Sequence, residues 1–309
     1  MNSTKGKRLE ETGISSKTRL SSSFLRLVAC FDFEALARLL DTQLTGNVDY
    51  LVVLGTTGEA VTLTAEEKRE VRQFIVAYTK QWAATHNTNP IPLVLGVGGN
   101  NTAQVISDLN AIKHESILDF TAILSVCPYY NKPNQEGLFQ HFCAIAEASP
   151  IPIILYNVPG RTGVNLLPET VMRIYNAHPN KIIGIKEASG NIEQIKQLIA
   201  LSKQQATTDE DTLLVISGDD GIACEVMKAG GAGLISVASN AFPDDFRRIV
   251  HEQDEALQAQ YDEMIAAGAL DYPHLQFLLV PIDVTTCAPC SAVAKPTVFV
   301  VNFWGVQSQ

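Results

Sequence analysis

Long apolar runs are missing from this sequence. Although 46% of its 309 residues are hydrophobic, no stretch approaches the roughly 18 consecutive apolar residues of a transmembrane helix. We therefore predict no membrane-spanning segment. Residues 1–23 are rich in Ser, Thr, Lys and Arg and lack the apolar core of a secretory signal, so we expect a disordered leader on a cytoplasmic protein.

Basic residues are also few. The chain has 23 Lys and Arg against 33 Asp and Glu, a net charge of −10 and a pI near 5.1. Surfaces that bind nucleic acid cluster their basic residues, so we expect no nucleic-acid partner. A small anionic substrate is still compatible with this charge, because a local pocket can be positive on an acidic protein.

Cysteine is sparse, with six in the whole chain. Cys287 and Cys290 form a single CxxC pair, without the second pair or neighbouring histidine of a zinc site. The other four lie among apolar residues and resemble small core residues. We expect free thiols, as in a reducing cytoplasm.

A repeated pattern dominates the rest of the chain. An apolar, β-rich run ends in Gly, Asn, Pro or a polar cluster, and an amphipathic stretch follows it. The runs are residues 50–54, 91–95, 120–126, 151–156, 182–186, 213–217 and 233–237. Strands that are apolar at nearly every position are buried on both faces, which is typical of a parallel sheet covered by helices.

This repeat predicts an α/β fold, either an open doubly wound sheet or a closed barrel. A weaker eighth run at 24–30 favours the (β/α)8 TIM barrel, which we place at residues 24–243. Residues 244–309 would form a C-terminal appendage that is helical to about residue 268. Beyond that point the tail is apolar and β-prone without helical periodicity, and we expect it to pack poorly.

The active site of such a barrel lies where its strands end. The residues just past the seven runs include no histidine and no carboxylates with metal-ligand spacing, so we expect no metal and no other cofactor. Lys186 stands at the end of the apolar run 182–186. A desolvated lysine can become a neutral amine that attacks a carbonyl and forms an imine. The alternatives are a side chain that reaches solvent or pairs with Glu187.

Four further residues are candidates for a chemical role. Tyr156 ends another apolar run, where its phenol could transfer protons or simply pack in the core. Arg161 follows in a Pro-Gly-Arg-Thr-Gly loop and could bind a carboxylate through two hydrogen bonds, although a solvated loop arginine is the commoner case. Thr56 and Thr57 lie between glycines that allow backbone N–H groups to approach an anion closely.

Together these motifs resemble the dihydrodipicolinate synthase family of Schiff-base-forming pyruvate lyases. Five segments match in order and spacing: 54–59, 127–133, 155–163, 184–190 and 217–220. The resemblance runs from about residue 32 to 243. It implies a TIM barrel that condenses pyruvate with L-aspartate 4-semialdehyde to form 4-hydroxy-tetrahydrodipicolinate, in lysine and diaminopimelate biosynthesis.

The resemblance also implies residue roles. Lys186 would form the imine with pyruvate, and Tyr156 would transfer protons through Thr56 to Tyr130. In the family that last tyrosine comes from a neighbouring subunit, so a homo-oligomer (tetramer or dimer) is implied. The residues implied to bind substrate are Thr57 for the pyruvate carboxylate, Arg161 for the aldehyde's carboxylate, and Gly218 and Ile235 as pocket lining.

Two rival functions stay open at this point. N-acetylneuraminate lyases and sugar-acid aldolases share the lysine and tyrosine, but Arg161 and the Tyr129-Tyr130 pair favour the dihydrodipicolinate branch. A non-catalytic barrel would explain why both chain ends depart from the family pattern. The positions that match the family's lysine-inhibition site keep Asn100 and Tyr129. They otherwise carry Ala60, Val61, Ala65, Lys68 and Gln104, which predicts weak or absent feedback by free lysine.

Overall fold

The computed structural model describes residues 33–113, 117–206 and 212–267, together with the backbone of 302–303. Seven strands in these ranges run parallel, each paired with the next along the chain. They are β1 (Leu51–Val53), β2 (Leu93–Gly96), β3 (Ala122–Val126), β4 (Ile153–Asn157), β5 (Ile182–Glu187), β6 (Leu214–Ser217) and β7 (Gly233–Leu234). The seven predicted runs are therefore confirmed as strands of one parallel sheet.

An eighth strand, β8 (Asn302–Phe303), pairs antiparallel with β1 at Leu51 and Val52. It also lies against the turn Ala238–Asn240 that follows β7. The two edges of the curled sheet thus approach each other across β8. The predicted leader 1–23, the predicted strand 24–30 and the rest of the tail beyond 268 lie outside the described residues.

Helices alternate with the strands, as the barrel prediction requires. They are α1 (Phe33–Thr45), α2 (Ala65–His86), α3 (Thr102–Lys113), α4 (Gln135–Ala148), α5 (Pro159–Thr162), α6 (Pro168–Ala177), α7 (Ile192–Gln205), α8 (Ala223–Lys228), α9 (Pro243–His251) and α10 (Glu255–Ala266). The start of α2 is held by a capping box, in which Thr64 Oγ1 accepts from the Glu67 N–H and the Glu67 carboxylate accepts from the Thr64 N–H. Both are orphan donors that a helix start must satisfy.

The core follows from strand alternation. One side chain in two points into the barrel. There, residues from different strands pack together with exposures of 1% or less, among them Val52, Val94, Ile154 and Ile216. The intervening side chains face the helices. Because both faces are covered, the strands need apolar residues at nearly every position, and polar ones appear only near their ends.

The C-terminal region is helical up to residue 266, in agreement with the predicted partly helical appendage. The structure has two helices, α9 and α10, separated where Gln253 adopts a left-handed φ of 53° and Asp254 caps α10. Phe246 and Tyr261 from the two helices pack with their ring centroids 4.8 Å apart. Within the described ranges no helix is long and apolar enough to cross a membrane.

His141 makes the stability of this fold depend on pH. It is buried on α4, its Nδ1 lies 2.8 Å from Thr102 Oγ1 at the start of α3, and burial lowers the pKa of the imidazole to about 4. An unfolded histidine has a pKa of about 6.5. Between these values the unfolded chain binds more protons, so stability falls as the pH drops from about 6.5 towards 4.

We expect this one group to lower the free energy of unfolding by about 2 kcal/mol at pH 5 relative to pH 7.5. Denaturant titrations at both pH values measure the difference. His141→Gln should remove that part of the pH dependence, whereas His86→Gln, at an exposed position, should leave it unchanged. An equal loss in wild type and His141→Gln would contradict the assignment.

Candidate active site

The predicted lysine and tyrosine lie side by side inside the barrel mouth. Tyr156 on β4 is the cross-strand partner of Lys186 on β5. Lys186 Nζ lies 4.6 Å from the centroid of the Tyr156 ring, and the two side chains belong to residues that are 4% and 6% exposed. In the described ranges no carboxylate forms an ion pair with this ammonium group. The alternative of a lysine that reaches solvent is therefore wrong.

Glu187 does not pair with Lys186 either. It is the next residue of β5 and, by alternation, points to the opposite face of the sheet. Its carboxylate accepts hydrogen bonds from Asn157 and Gln194. Burial is the main influence on this group and raises the pKa of Glu187, against the opposing effect of those donors.

Gly218 provides the space that Lys186 occupies. A Cβ at this position would lie 2.8 Å from Lys186 Cε and 2.6 Å from Ala188 Cβ. Both distances are well below ordinary carbon–carbon contact, so any larger residue would displace the lysine side chain. Ile235, after β7, lies in the same interior cluster as Tyr156.

The threonine pair lies on a tight turn after β1. Residues Thr56–Gly58 form one turn of 3-10 helix that ends at Glu59, in the left-handed region with φ 50°. Leu54, before the turn, also has a left-handed φ of 59°. Thr57 is buried and Thr56 is half-buried. This turn places both residues at the carboxyl end of the sheet.

A cavity of about 630 Å³ leads outward from Tyr156 and Thr56 to the cleft between α2 and α3. Its lining includes every position named above for free lysine: Ala60, Val61, Ala65, Lys68, Asn100, Gln104 and Tyr129. Carboxylates of Glu66 and Asp108 also line it. The Gln104 amide donates to Asp108 at 2.8 Å.

Two predicted site residues, Tyr130 and Arg161, lie apart from Lys186 and Tyr156. Tyr130 is 87% exposed and has a left-handed φ of 70°. It is Tyr129 that lines the cavity. Arg161 is exposed on the short helix α5. The structure thus groups Lys186, Tyr156, Gly218 and Ile235 inside the barrel and leaves Tyr130 and Arg161 at its rim.

Sequence reasoning missed the buried polar residues behind the lysine and tyrosine. Asn157 and Glu187 are both 0% exposed, and each directly follows one of the two predicted catalytic residues. A polar residue in an otherwise apolar strand was the available signal. Among the described residues no group of three His, Cys, Asp or Glu side chains is arranged to hold a metal ion.

Comparison with known proteins gives consistent results. Residues 16–270 match the model of the dihydrodipicolinate synthetase family. A 4-hydroxy-tetrahydrodipicolinate synthase of Parabacteroides distasonis is 48% identical over 231 residues, which cover 75% of this chain and 70% of that protein.

Solved structures agree with this result. Dihydrodipicolinate synthase from Thermotoga maritima superposes with a TM-score of 0.64 at 36% identity, over 82% of this chain and 79% of that one. The enzyme from Acinetobacter baumannii, complexed with pyruvate, has a TM-score of 0.64 at 35% identity, over 84% of this chain and 81% of that one. These matches confirm the predicted TIM-barrel fold class.

Gly218→Ala tests the packing around the lysine. The added methyl group should displace the Lys186 side chain. If Lys186 forms the imine that the sequence analysis predicts, trapping of pyruvate by borohydride reduction should slow by at least about tenfold. Gly221→Ala is the matched control, because its nearest neighbour would be 3.5 Å from the new Cβ. Equal trapping rates in Gly218→Ala and wild type would show that the lysine does not need this space.

Proposed function

The chain belongs to the dihydrodipicolinate synthetase family, and we propose that it condenses pyruvate with L-aspartate 4-semialdehyde to form 4-hydroxy-tetrahydrodipicolinate. The observation that carries the proposal is the buried amine of Lys186 beside the Tyr156 ring. Such an amine, without an ion pair in the described ranges, suits imine formation with a keto acid.

The covalent steps would balance as follows. The Lys186 amine adds to the pyruvate ketone and water leaves, which forms the imine. Loss of a proton from the pyruvate methyl group gives the enamine, whose carbon attacks the aldehyde and forms the new carbon–carbon bond. The amine of the second substrate then adds to the imine carbon and displaces Lys186, which closes the ring and regenerates the enzyme.

Tyr156 would supply and accept the protons of these steps, since its phenol lies beside the amine and adds no fixed charge. Thr56 lines the same cavity as Tyr156 and would relay protons between Tyr156 and Tyr130. The exposed Tyr130 would serve a second copy of the chain, so the proposal includes a homo-oligomer. Thr57 would hold the pyruvate carboxylate at the turn after β1.

Arg161 would bind the carboxylate of the second substrate. Its guanidinium can donate two parallel hydrogen bonds to a carboxylate. Its position on α5, directly after β4, places it at the rim beyond Tyr156. The pyruvate site and the aldehyde site would therefore lie at different depths of one opening.

Lys186 is tested by trapping. Pyruvate plus borohydride should add one reduced three-carbon adduct, which peptide mass analysis should map to Lys186. Lys186→Ala should abolish the adduct, and so should Lys186→Arg, because a guanidinium stays protonated. Labelling at another lysine, or undiminished labelling of Lys186→Ala, would exclude this residue as the nucleophile.

Arg161→Ala should damage use of the aldehyde and leave the pyruvate adduct intact. Only the second substrate loses a bidentate partner. We expect a fall in kcat/KM for the aldehyde that corresponds to the loss of roughly 2–4 kcal/mol of transition-state binding. Steady-state assays with L-aspartate 4-semialdehyde measure the fall in kcat/KM, and parallel assays with sugar-type aldehydes test the rival activities. An equal fall in pyruvate trapping would make Arg161 a structural residue.

Free lysine should inhibit weakly or not at all. A cationic ligand in the cavity between α2 and α3 would meet the ammonium group of Lys68. Of the two carboxylates that line the cavity, Glu66 is already paired with Arg69, and Asp108 already accepts from the Gln104 amide. Titration of the activity with lysine measures this, and the double variant Lys68→Ala/Gln104→Glu should be more sensitive than wild type. Strong inhibition of wild type at sub-millimolar lysine would show that other groups bind it.

A further inference from the structure

A second polar pair lies directly behind Tyr156 and Lys186. Asn157 and Glu187 are the next residues of β4 and β5, are themselves cross-strand partners, and are both 0% exposed. Because side chains alternate along a strand, this pair faces away from the barrel interior. Neither residue has a role in the proposed reaction, although burying a carboxylate is costly unless it is well hydrogen-bonded.

Two amides complete the set, and we call the four side chains the amide network: Asn157, Asn165, Gln194 and Glu187. The Asn157 Nδ2 group lies 3.0 Å from each oxygen of the Glu187 carboxylate. Gln194 Nε2 donates to the same carboxylate at 3.0 Å, and the Ser189 N–H donates at 2.9 Å. All of these groups are donors, so the Glu187 carboxylate acts as the acceptor in every one of these hydrogen bonds.

One backbone group determines the orientation of every amide in the network. The Leu166 N–H donates to Asn157 Oδ1 at 3.0 Å, so Asn157 Nδ2 must face Glu187. That nitrogen also donates to Asn165 Oδ1 at 2.7 Å, and Asn165 Nδ2 donates to Gln194 Oε1 at 2.8 Å. Donors and acceptors therefore match in one arrangement, and fully satisfied buried networks of this kind are rigid.

The network joins two segments that carry different parts of the proposed chemistry. The segment 158–166 carries Arg161, and its far end is held by Asn157 through Leu166 and by Gln135 Nε2, which donates to the Asn165 carbonyl at 2.8 Å. Glu187 directly follows Lys186. Its own carbonyl accepts from the Gly218 N–H at 2.8 Å, which ties the network to the glycine beside the lysine.

We propose that the amide network positions the Arg161 segment relative to the imine at Lys186. This proposal rests on the proposed function, and it makes Asn165 a positioning residue for the second substrate. Loss of the Asn165 side chain removes the hydrogen bonds that join the segment to Asn157 Nδ2 and to Gln194. The bonds at the Leu166 N–H and at the Asn165 carbonyl remain, so the far end of the segment is held less firmly, while the lysine keeps its place within β5. Affinity for the aldehyde's carboxylate should then fall without a matching loss of imine formation.

Asn165→Ala is the main test. We expect KM for L-aspartate 4-semialdehyde to rise by about tenfold or more, with kcat changed by less than about threefold and pyruvate trapping within about twofold of wild type. Asn176→Ala is the control, because it removes an exposed amide pair with Gln205, at 3.0 Å, from the outside of the barrel. It should leave all three quantities unchanged.

A double variant separates positioning from general loosening. If Asn165 acts through Arg161, Asn165→Ala should add nothing to KM in an Arg161→Ala background, because interacting residues are not additive. Additive effects would overturn the proposal. So would an unchanged KM in the single variant, or an equal loss of pyruvate trapping.

Hydrogen exchange gives a readout that does not depend on activity. Peptides covering 158–166 should exchange faster by about tenfold in Asn165→Ala, and those covering β5 should not change. Unchanged exchange in 158–166 would overturn the network's role. If wild type trapped pyruvate but failed to use the semialdehyde, the proposed function would be wrong. The exchange comparison would then still show whether the amide network holds the segment 158–166 in place.

Discussion

The site depends on one constraint, which is the burial of an amine at the carboxyl edge of a parallel sheet. Lys186 is 4% exposed, and the described part of the chain offers its ammonium group no carboxylate partner. A charged group in that position loses its hydration, and the Tyr156 ring beside it offers weaker attraction than a carboxylate would. Buried lysines of this kind are therefore rare. Its neighbours are arranged accordingly, with an aromatic ring on one side and a glycine on the other.

The Lys186 side chain fits into the barrel mouth because glycine leaves room beside it. Gly218 leaves room where a methyl group would collide with Lys186. At the end of β2, Gly96 also allows a close approach, since a Cβ there would lie 2.1 Å from the Leu54 carbonyl oxygen. Leu54 and Glu59 accept left-handed backbone on either side of the threonine turn. Non-glycine residues in that region are strained and tend to occur at functional sites.

Strand alternation divides the polar residues of β4 and β5 between two environments. Tyr156 and Lys186 face the interior, and Tyr156 lines the cavity that opens from it. Asn157 and Glu187 face the helices, where each hydrogen bond must be satisfied by protein. The same two strand ends therefore support both the proposed chemistry and the segment that carries Arg161, and a change in their register would affect both.

The sequence by itself determined the order of strands and helices, and the positions of Lys186 and Tyr156. These follow from local patterns: apolar runs at strand length, amphipathic stretches between them, and a charged or phenolic residue where an apolar run ends. Predicted element ends differ from the observed ones by only a few residues, because helix and strand ends depend on caps and neighbours.

Only the tertiary structure decided which of these residues meet. The 4.6 Å approach of Lys186 to Tyr156 depends on the register of β4 against β5. The contact of Asn165 with Gln194 joins residues 29 positions apart, and the break between α9 and α10 depends on one left-handed residue, Gln253. No local pattern encodes register or the path of a loop, since both are set by how distant segments pack against each other.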